Sequence, residues 1–242
     1  MFEYKIDNIT IYNTSAFDVI NGKCNNIEKK IASWIVDNKE KEIVEEIFEK
    51  NYENFDITEK NYIIDKTLDV LKNSKFSRKL YIEKQLYDYF AKEHFINFPG
   101  FIRFRLKEYK TEIENALDDV IDKYICEKEY HEFINLIREY VEYQKSYAPI
   151  LNMLTTNEKT RYFDKHWIEI TEMLNEEYSF ETDLSNDDKL LTTLVLCAPQ
   201  KIIWHNSSAL KNQELKATVT EIFDGRIIFC NTCKMCNKFI KK

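Results

Sequence analysis

Three cysteines near the C-terminus are the residues whose type and spacing best suit chemistry. Cys230, Cys233 and Cys236 form a C-x-x-C-x-x-C motif, a spacing that lets successive sulfurs turn toward one ion or cluster. The motif supplies three ligands, whereas a structural zinc site needs a fourth. It therefore predicts a metal site, for Zn²⁺ first and an iron–sulfur cluster second. The alternative is a metal-free tail whose thiols are inert or form disulfides.

Two strands and a helix must position this motif. Apolar runs predict strands at Lys201–His205 and Arg226–Cys230. The segment between them, Asn212–Phe223, predicts a helix that ends at Gly225. A strand, a helix and a strand joined in this way favour parallel pairing with a right-handed crossover. The two strands are therefore expected to be neighbours in one small sheet.

His205 is the predicted fourth ligand, because parallel pairing would place it beside Cys230. Both residues end their strands, so they would lie about 5 Å apart across the ladder. Cys197 precedes the other end of its strand and would lie on the order of 13 Å farther away at ~3.3 Å per residue. A water molecule or a ligand from a second subunit is the alternative to His205.

A second candidate site is a set of cations early in a long predicted helix. Arg103, Lys107 and Lys110 share one face of a helical wheel, whereas Arg105 points away. At a helix start, exposed N–H groups and cations would favour a phosphate or an acidic partner. The alternative is a solvated face, on which Lys110 pairs with Glu114.

The scaffold of the chain is predicted to be a long amphipathic helix, Phe98–Lys145. Pro99 and Gly100 suit its first turn, since proline there loses no N–H that the helix needs. Apolar residues then recur every three or four positions, which keeps one stripe on one face. The stripe lapses at Cys126–Glu129, where we expect a kink or a break into two helices.

The remaining patterns predict an α+β protein. Apolar and charged residues alternate around Asp7 and Asn8, which indicates an N-terminal hairpin, and apolar residues at helical spacing follow. After Pro149 the predicted order is ββαβαβ with a partly parallel sheet, and Ser185 caps its first helix. We predict a mainly helical subdomain at 1–148 and an α/β subdomain with the cysteine cluster at 149–242.

Composition and charge narrow the class of protein. The chain has 242 residues, 44% hydrophobic and 14% aromatic, enough for a sizeable core. Its formal net charge of −7 argues against general binding to nucleic acid or anionic membranes. No apolar run approaches the roughly eighteen residues that span a bilayer, and the N-terminus lacks a signal-peptide pattern. These features predict a cytoplasmic protein with reduced thiols and no membrane span.

Four stretches of the sequence carry a resemblance to a known family. They are F-P-G-F-I-R-F-R-L-K-E-Y from Phe98, E-K-E-Y-H-E-F-I from Glu127, A-P-Q-K-I-I from Ala198 and C-N-T-C-K-M-C from Cys230. Over these stretches the chain resembles the YtxC-like family of sporulation proteins. The resemblance implies a role in bacterial endospore formation, without an established biochemical activity.

The sequence carries no recognisable catalytic signature. A nucleophile elbow, a P-loop, a dinucleotide fingerprint and an H-E-x-x-H motif are all lacking. His94 and His131 have no partner at ligand or triad spacing, so both are interpreted as structural or solvated. The lone cysteines Cys24, Cys126 and Cys197 are interpreted as small buried hydrophobes.

The leading hypothesis is a binding protein that acts on an unidentified protein partner. The alternative is a metal- or thiol-dependent enzyme centred on the cysteine tail. A third hypothesis is nucleic-acid binding, because the tail is basic and has no acidic residue after Arg226. Its cations are Arg226, Lys234, Lys238, Lys241 and Lys242. The acidity of the whole chain argues against this third hypothesis.

Overall fold

The computed structural model describes residues 2–6, 9–13, 18–21, 27–93, 96–177, 184–230 and 232–240. For 2–6, 9–13, 18–21 and 239–240 it describes the backbone alone. Two compact units divide the chain, Met1–Glu127 and Lys128–Lys242. The subdomain boundary predicted between residues 148 and 149 stays a prediction.

The first unit begins with a small antiparallel sheet. Its strands are β1 (Phe2–Ile6), β2 (Ile9–Asn13) and β3 (Asp18–Asn21), in the order β1-β2-β3. Ile6 pairs with Ile9 across the first two strands, which confirms the predicted hairpin. Its turn residues, Asp7 and Asn8, lie outside the described residues. The third strand is an addition to the prediction.

Helices make up the rest of the first unit. They are α1 (Ile27–Asn38), α2 (Glu40–Asn51), α3 (Ile57–Lys72), α4 (Arg78–Phe90), α5 (Phe98–Arg105) and the first part of α6 (Lys107–Tyr143). The apolar spacing that predicts these helices also builds their core, because Ile31, Ile35 and Ile63 are fully buried. Asn97 caps α5, since its Oδ1 accepts the N–H of Gly100 at 2.7 Å.

The long helix is interrupted at Leu106, which corrects its prediction as one element. Arg105 ends α5 one turn after the buried Phe101, so the next position on that face carries a cation rather than an apolar side chain. Leu106 follows with a non-helical backbone, φ −97° and ψ 48°. Leu106 is buried, whereas Arg105 is exposed.

The break predicted at Cys126–Glu129 is wrong, because α6 runs through this stretch as one helix. The stripe lapses there for a different reason. Apolar residues of α6 up to Tyr124 pack in the core of the first unit, whereas Ile134, Ile137 and Val141 pack in the core of the second. The lapse therefore marks a change of core rather than the end of a helix.

A four-stranded mixed sheet organises the second unit. Its strands are β4 (Leu151–Thr155), β5 (Thr160–Phe163), β6 (Ile202–His205) and β7 (Ile227–Cys230), in the order β5-β4-β6-β7. β4 is antiparallel to β5 and parallel to β6, and β6 is parallel to β7. Its further helices are α7 (Thr171–Glu177), α8 (Asn186–Cys197), α9 (Gln213–Ile222) and α10 (Lys234–Ile240). The α+β class and the ββαβαβ order are confirmed, with α7 and α10 as additions.

Local signals set the ends of these elements as predicted. Ser185 caps α8, because its Oγ accepts the N–H of Asp188 at 3.1 Å. Gly225 follows α9 with φ 73°, a conformation that glycine adopts without strain. Every residue of β4 is buried, as expected for a strand covered on both faces. Within the described part of the chain, no helix is both long and apolar enough to cross a membrane.

Candidate metal centre

His205 and Cys230 pair directly across the parallel strands β6 and β7. Both residues end their strands, as the sequence predicts. Trp204 anchors β6, since it is fully buried and its indole N–H donates to Thr155 Oγ1 at 2.9 Å. The register therefore holds an imidazole and a thiol side by side at one end of the sheet.

A turn and a short helix bring the other two cysteines to the same place. Thr232 has φ 85°, a left-handed backbone that is uncommon for a β-branched residue. Cys233 then directly precedes α10, and its sulfur accepts the N–H of Cys236 at 3.4 Å. This contact caps the helix and turns both sulfurs toward Cys230.

The four side chains form a cluster with the dimensions of a single-ion site. Their ligand atoms lie within 4.8 Å of one another. Cys236 Sγ is 3.7 Å from Cys230 Sγ and 3.6 Å from Cys233 Sγ. His205 Nδ1 is 3.3 Å from Cys236 Sγ and 3.7 Å from Cys233 Sγ. Tetrahedral zinc, with Zn–S bonds of about 2.3 Å, would separate its sulfurs by about 3.8 Å.

Asn152 orients the imidazole, and sequence reasoning missed it. Its Oδ1 lies 3.2 Å from His205 Nε2, and its Nδ2 donates to the backbone oxygen of Asp164 at 2.8 Å. Because the amide nitrogen is engaged there, Oδ1 accepts the Nε2 proton and leaves the lone pair of Nδ1 facing the thiols. The signal in the sequence is slight, one polar residue inside the apolar run of β4.

The cluster is largely shielded from solvent. His205 and Cys236 are 3% and 2% exposed, and Cys230 and Cys233 are half-buried. The Trp167 ring covers the imidazole, with their centroids 4.8 Å apart. Four protein ligands in a closed environment suit an ion that stabilises structure better than one that binds substrate.

Electrostatic effects favour the neutral form of the His205 imidazole and shift the pKa values of Cys233 and Cys236 in opposite directions. Burial lowers the pKa of His205, so the ring is in the form that binds metals. Burial raises the pKa of Cys236 to about 11. Burial also acts on Cys233, but the N–H of Cys236 and the neighbouring thiols outweigh it and lower the pKa of Cys233. A bound cation would favour the thiolate form of each.

The predicted cation set lies apart from this centre, in the first unit. Leu106 separates α5 from α6, so Arg103, Lys107 and Lys110 do not share one helical wheel. Arg103 and Lys110 nevertheless line one cavity, whereas Lys107 is exposed and does not line it. Among the described residues, no ion pair joins Lys110 to Glu114. The role of these cations in binding an anion or a partner stays a prediction.

The isolated cysteines and histidines differ in their surroundings. Cys197 is buried as interpreted, whereas Cys126 is exposed, so its interpretation as a buried hydrophobe is wrong. His131 is exposed, and its Nδ1 lies 3.5 Å from Glu221 Oε1. Cys24 and His94 lie outside the described residues.

The cations of the tail are only partly described. Lys234 and Lys238 lie on α10 and are exposed. Arg226 precedes β7, and its Nη1 lies 3.5 Å from the backbone oxygen of Pro199. Lys241 and Lys242 lie outside the described residues.

The fold and the cluster together define an α+β protein with a candidate Cys₃His centre. The YtxC-like family matches residues 25–228, and the chain belongs to that family. His205 lies within the match, which ends shortly before Cys230. The resemblance found in the sequence is thereby confirmed.

One relative is the curated "Uncharacterized protein YtxC" of Bacillus subtilis (strain 168). It is 24% identical over 155 residues, which are 63% of this chain and 54% of that protein. The chain thus spans about half the length of this relative. No solved structure matches the chain.

Proposed function

We propose that the protein is a binding protein whose C-terminal segment is fixed by one Zn²⁺ ion. The observation that carries the proposal is the convergence of His205, Cys230, Cys233 and Cys236, whose ligand atoms lie within 4.8 Å of one another. When bound, zinc supplies the attraction that holds the thiolates together. The chain supplies the geometry, and closure of the site would fasten α10 to the ends of β6 and β7.

An iron–sulfur cluster is the alternative occupant, because such proteins also use C-x-x-C-x-x-C spacing. A cluster of several irons needs its ligating sulfurs farther apart than one central ion does. The separations of 3.6 and 3.7 Å around Cys236 therefore support a single ion.

Metal content is the direct test. The protein is purified anaerobically without a histidine tag, and its metals are measured by mass spectrometry. We expect about one equivalent of zinc, and release of protons when zinc is added to the metal-free protein. Cys233→Ser should lose the metal, whereas the exposed Cys126→Ser should keep it.

Two outcomes would overturn parts of this proposal separately. Less than roughly a tenth of an equivalent of zinc or iron in the unaltered protein contradicts any resident metal. Full occupancy in His205→Ala contradicts only the fourth ligand and would leave a water molecule or a second subunit to provide it.

An exposed stripe on the second part of α6 supports the binding role. Its residues recur every three or four positions and lie beside the buried face that carries Ile134. They are Phe133, Leu136, Tyr140 and Tyr143, which are 51%, 67%, 51% and 90% exposed. Apolar side chains in such a row indicate an interaction surface. Exposed Glu132 and Glu139 flank them, so the stripe fits an amphipathic helix with a basic rim.

Two synthetic helical peptides with the same apolar face, one with a lysine rim and one with a glutamate rim, test this surface. The lysine peptide should bind, more weakly at high salt, which the fluorescence anisotropy of the labelled peptide measures. The double variant Leu136→Glu and Tyr140→Glu should abolish this binding. Asn135→Ala on the same helix is the control and should bind normally. Equal binding of the two peptides contradicts the basic partner, and self-association through the stripe would identify a second copy instead.

We further propose that the protein acts in the cytoplasm during endospore formation, on the strength of the family resemblance. The test is deletion of the gene in a spore-forming host, with counts of heat-resistant spores. The deletion should lower the count, and the unaltered gene should restore it. An unchanged count in the deletion strain would contradict a role in sporulation while leaving the metal site untouched.

A thiol-dependent enzyme is the second candidate function. The observation that favours it is Cys233 at the start of α10, where the N–H of Cys236 and the lowered pKa favour a reactive thiolate. Alkylation separates the two functions. A zinc-bound Cys233 should resist iodoacetamide until a chelator is added, whereas an enzyme thiol should react at once and before Cys236.

A further inference from the structure

A cavity of about 520 Å³ lies among α1, α2, α5 and the start of α6, all within the first unit. This volume is in the range that holds small organic ligands. It combines an apolar wall with a charged rim, and its lining shares no residue with the candidate metal centre. The two halves of this lining indicate what kind of molecule fits it.

The apolar wall is built from aromatic and aliphatic side chains. The rings of Trp34 and Phe98 contact each other, with centroids 5.4 Å apart and planes tilted by 51°. Ile43 and Ile102 extend this wall, and Ile43 and Phe98 are buried in the core. Because core packing fixes these residues, the wall is preformed and presents a surface against which a flat or aliphatic body can pack.

The charges at the rim leave a surplus of positive charge. Lys39 and Glu42 both line the cavity, but they neutralise each other, with Nζ 2.8 Å from Oε2. The remaining ionic side chains of the lining are Lys50, Arg103, Lys110 and Glu46. Within the part of the chain that the structure describes, none of these three cations lies in an ion pair with a carboxylate. One carboxylate thus stands against three cations.

We propose that this cavity binds a small organic anion, with a carboxylate, phosphate or sulfonate at the rim and an aromatic or aliphatic body against the wall. Arg103 and Lys110 approach the cavity from α5 and from α6, so one anionic group can contact both. Lys107, next along the chain, does not line the cavity.

Two fluorescent probes test the proposal, 8-anilinonaphthalene-1-sulfonate and the uncharged N-phenyl-1-naphthylamine. Titration of the full chain should show one saturable site that prefers the sulfonate. Arg103→Gln and Lys110→Gln should each weaken sulfonate binding about fivefold, the effect expected of one partly exposed charge. The uncharged probe should bind these variants as it binds the unaltered protein.

Lys107→Gln is the matched control, because it removes the same charge on the same helix outside the cavity. An equal loss in Lys107→Gln would show a diffuse charge effect and overturn the site, as would sulfonate binding that does not saturate. Leu136→Glu, on the exposed stripe of α6, should leave the titration unchanged. Competition with decanoate and with naphthoate then distinguishes an aliphatic from an aromatic body. Cys233→Ser should bind the probe normally, so the outcome is independent of the metal site.

Discussion

At the residue scale, the nitrogen that His205 presents to the thiols is decided by a contact on the other side of its ring. Asn152 accepts the Nε2 proton while its own amide group is held by the backbone of Asp164. An imidazole without this contact would turn more freely and lose part of its preference for the Nδ1 lone pair. The affinity of the candidate centre for metal should therefore depend on a residue outside its four proposed ligands.

Replacing Asn152 tests this dependence. Asn152→Ala should weaken zinc binding about 10- to 100-fold, the usual effect of losing the group that orients a histidine ligand. Competition with a chromophoric chelator measures the change. Asn157→Ala, in the exposed turn between β4 and β5, should bind zinc as the unaltered protein does. Equal affinities of the two variants would contradict the orienting role.

The sequence allowed the clustering of the four proposed ligands to be predicted, but not the residue that orients His205. His205 and Cys230 follow from strand ends and parallel pairing, which short-range patterns reveal. Asn152 and His205 are 53 positions apart, and nothing in their spacing links them. Such a contact depends on which strands become neighbours, and the prediction did not place β4 beside β6.

At the element scale, a buried ionic network joins three helices of the first unit. Glu40 on α2 is 5% exposed and lies 3.3 Å from Arg78 Nε on α4. The hydroxyl of Tyr109 on α6 donates to Glu40 Oε1 at 3.1 Å. Burial outweighs these two partners and raises the pKa of Glu40 above its ordinary value of 4.5. Folding therefore favours the neutral carboxyl form of Glu40 over the carboxylate form.

This shift predicts a pH dependence with a definite sign. A raised pKa means that the folded state holds the Glu40 proton more tightly, so its contribution is complete below pH 4.5 and is lost as pH rises through the folded pKa. Glu40→Gln removes this titration. As pH rises through the folded pKa, the free energy of unfolding of the Glu40→Gln variant should therefore increase relative to that of the unaltered protein. Urea unfolding at several pH values measures it.

Asn51→Ala on the same helix is the control, since Asn51 is exposed and carries no titratable group. Its free energy of unfolding should run parallel to that of the unaltered protein across the same pH values. A parallel course for Glu40→Gln as well would contradict the raised pKa.

Helix existence was predictable from apolar spacing, whereas helix continuity was not. The stripe reports which residues face a core, and it lapses whenever the core changes, as it does in α6 near Cys126. Conversely, α5 and α6 are separate helices although the apolar stripe does not lapse between them. Leu106 has a non-helical backbone and is nevertheless buried. A hydrophobic pattern alone therefore does not locate breaks in a helix.

At the scale of the whole molecule, the metal centre belongs to one of two cores. All four ligands lie in the second unit, and the buried network of Glu40 lies in the first. Loss of metal should therefore be felt locally. The class and the order of elements in the second unit were predictable, since turns and caps mark them.

Hydrogen exchange measures how locally the metal acts. Chelation should lower backbone protection in β7, in α10 and in the loop 164–168 beside His205, because the ion would fasten these segments together. Protection in 27–93 should stay unchanged. Cys233→Ser should already show the lower protection and should not respond to the chelator. Loss of protection throughout the chain, or nowhere, would contradict a local structural ion.

The left-handed backbone of Thr232 has a consequence for how fast the metal exchanges. A β-branched residue in that conformation costs on the order of 1–3 kcal/mol, and the tail can relax once the ligands let go. Part of the energy needed to release the ion is then already stored in the turn between Cys230 and Cys233. We expect Thr232→Gly to lengthen the residence time of zinc, measured by isotope exchange, because glycine adopts φ 85° without strain. An unchanged residence time would mean that the backbone of Thr232 does not relax when the metal leaves. The ligands alone would then set the lifetime of the site.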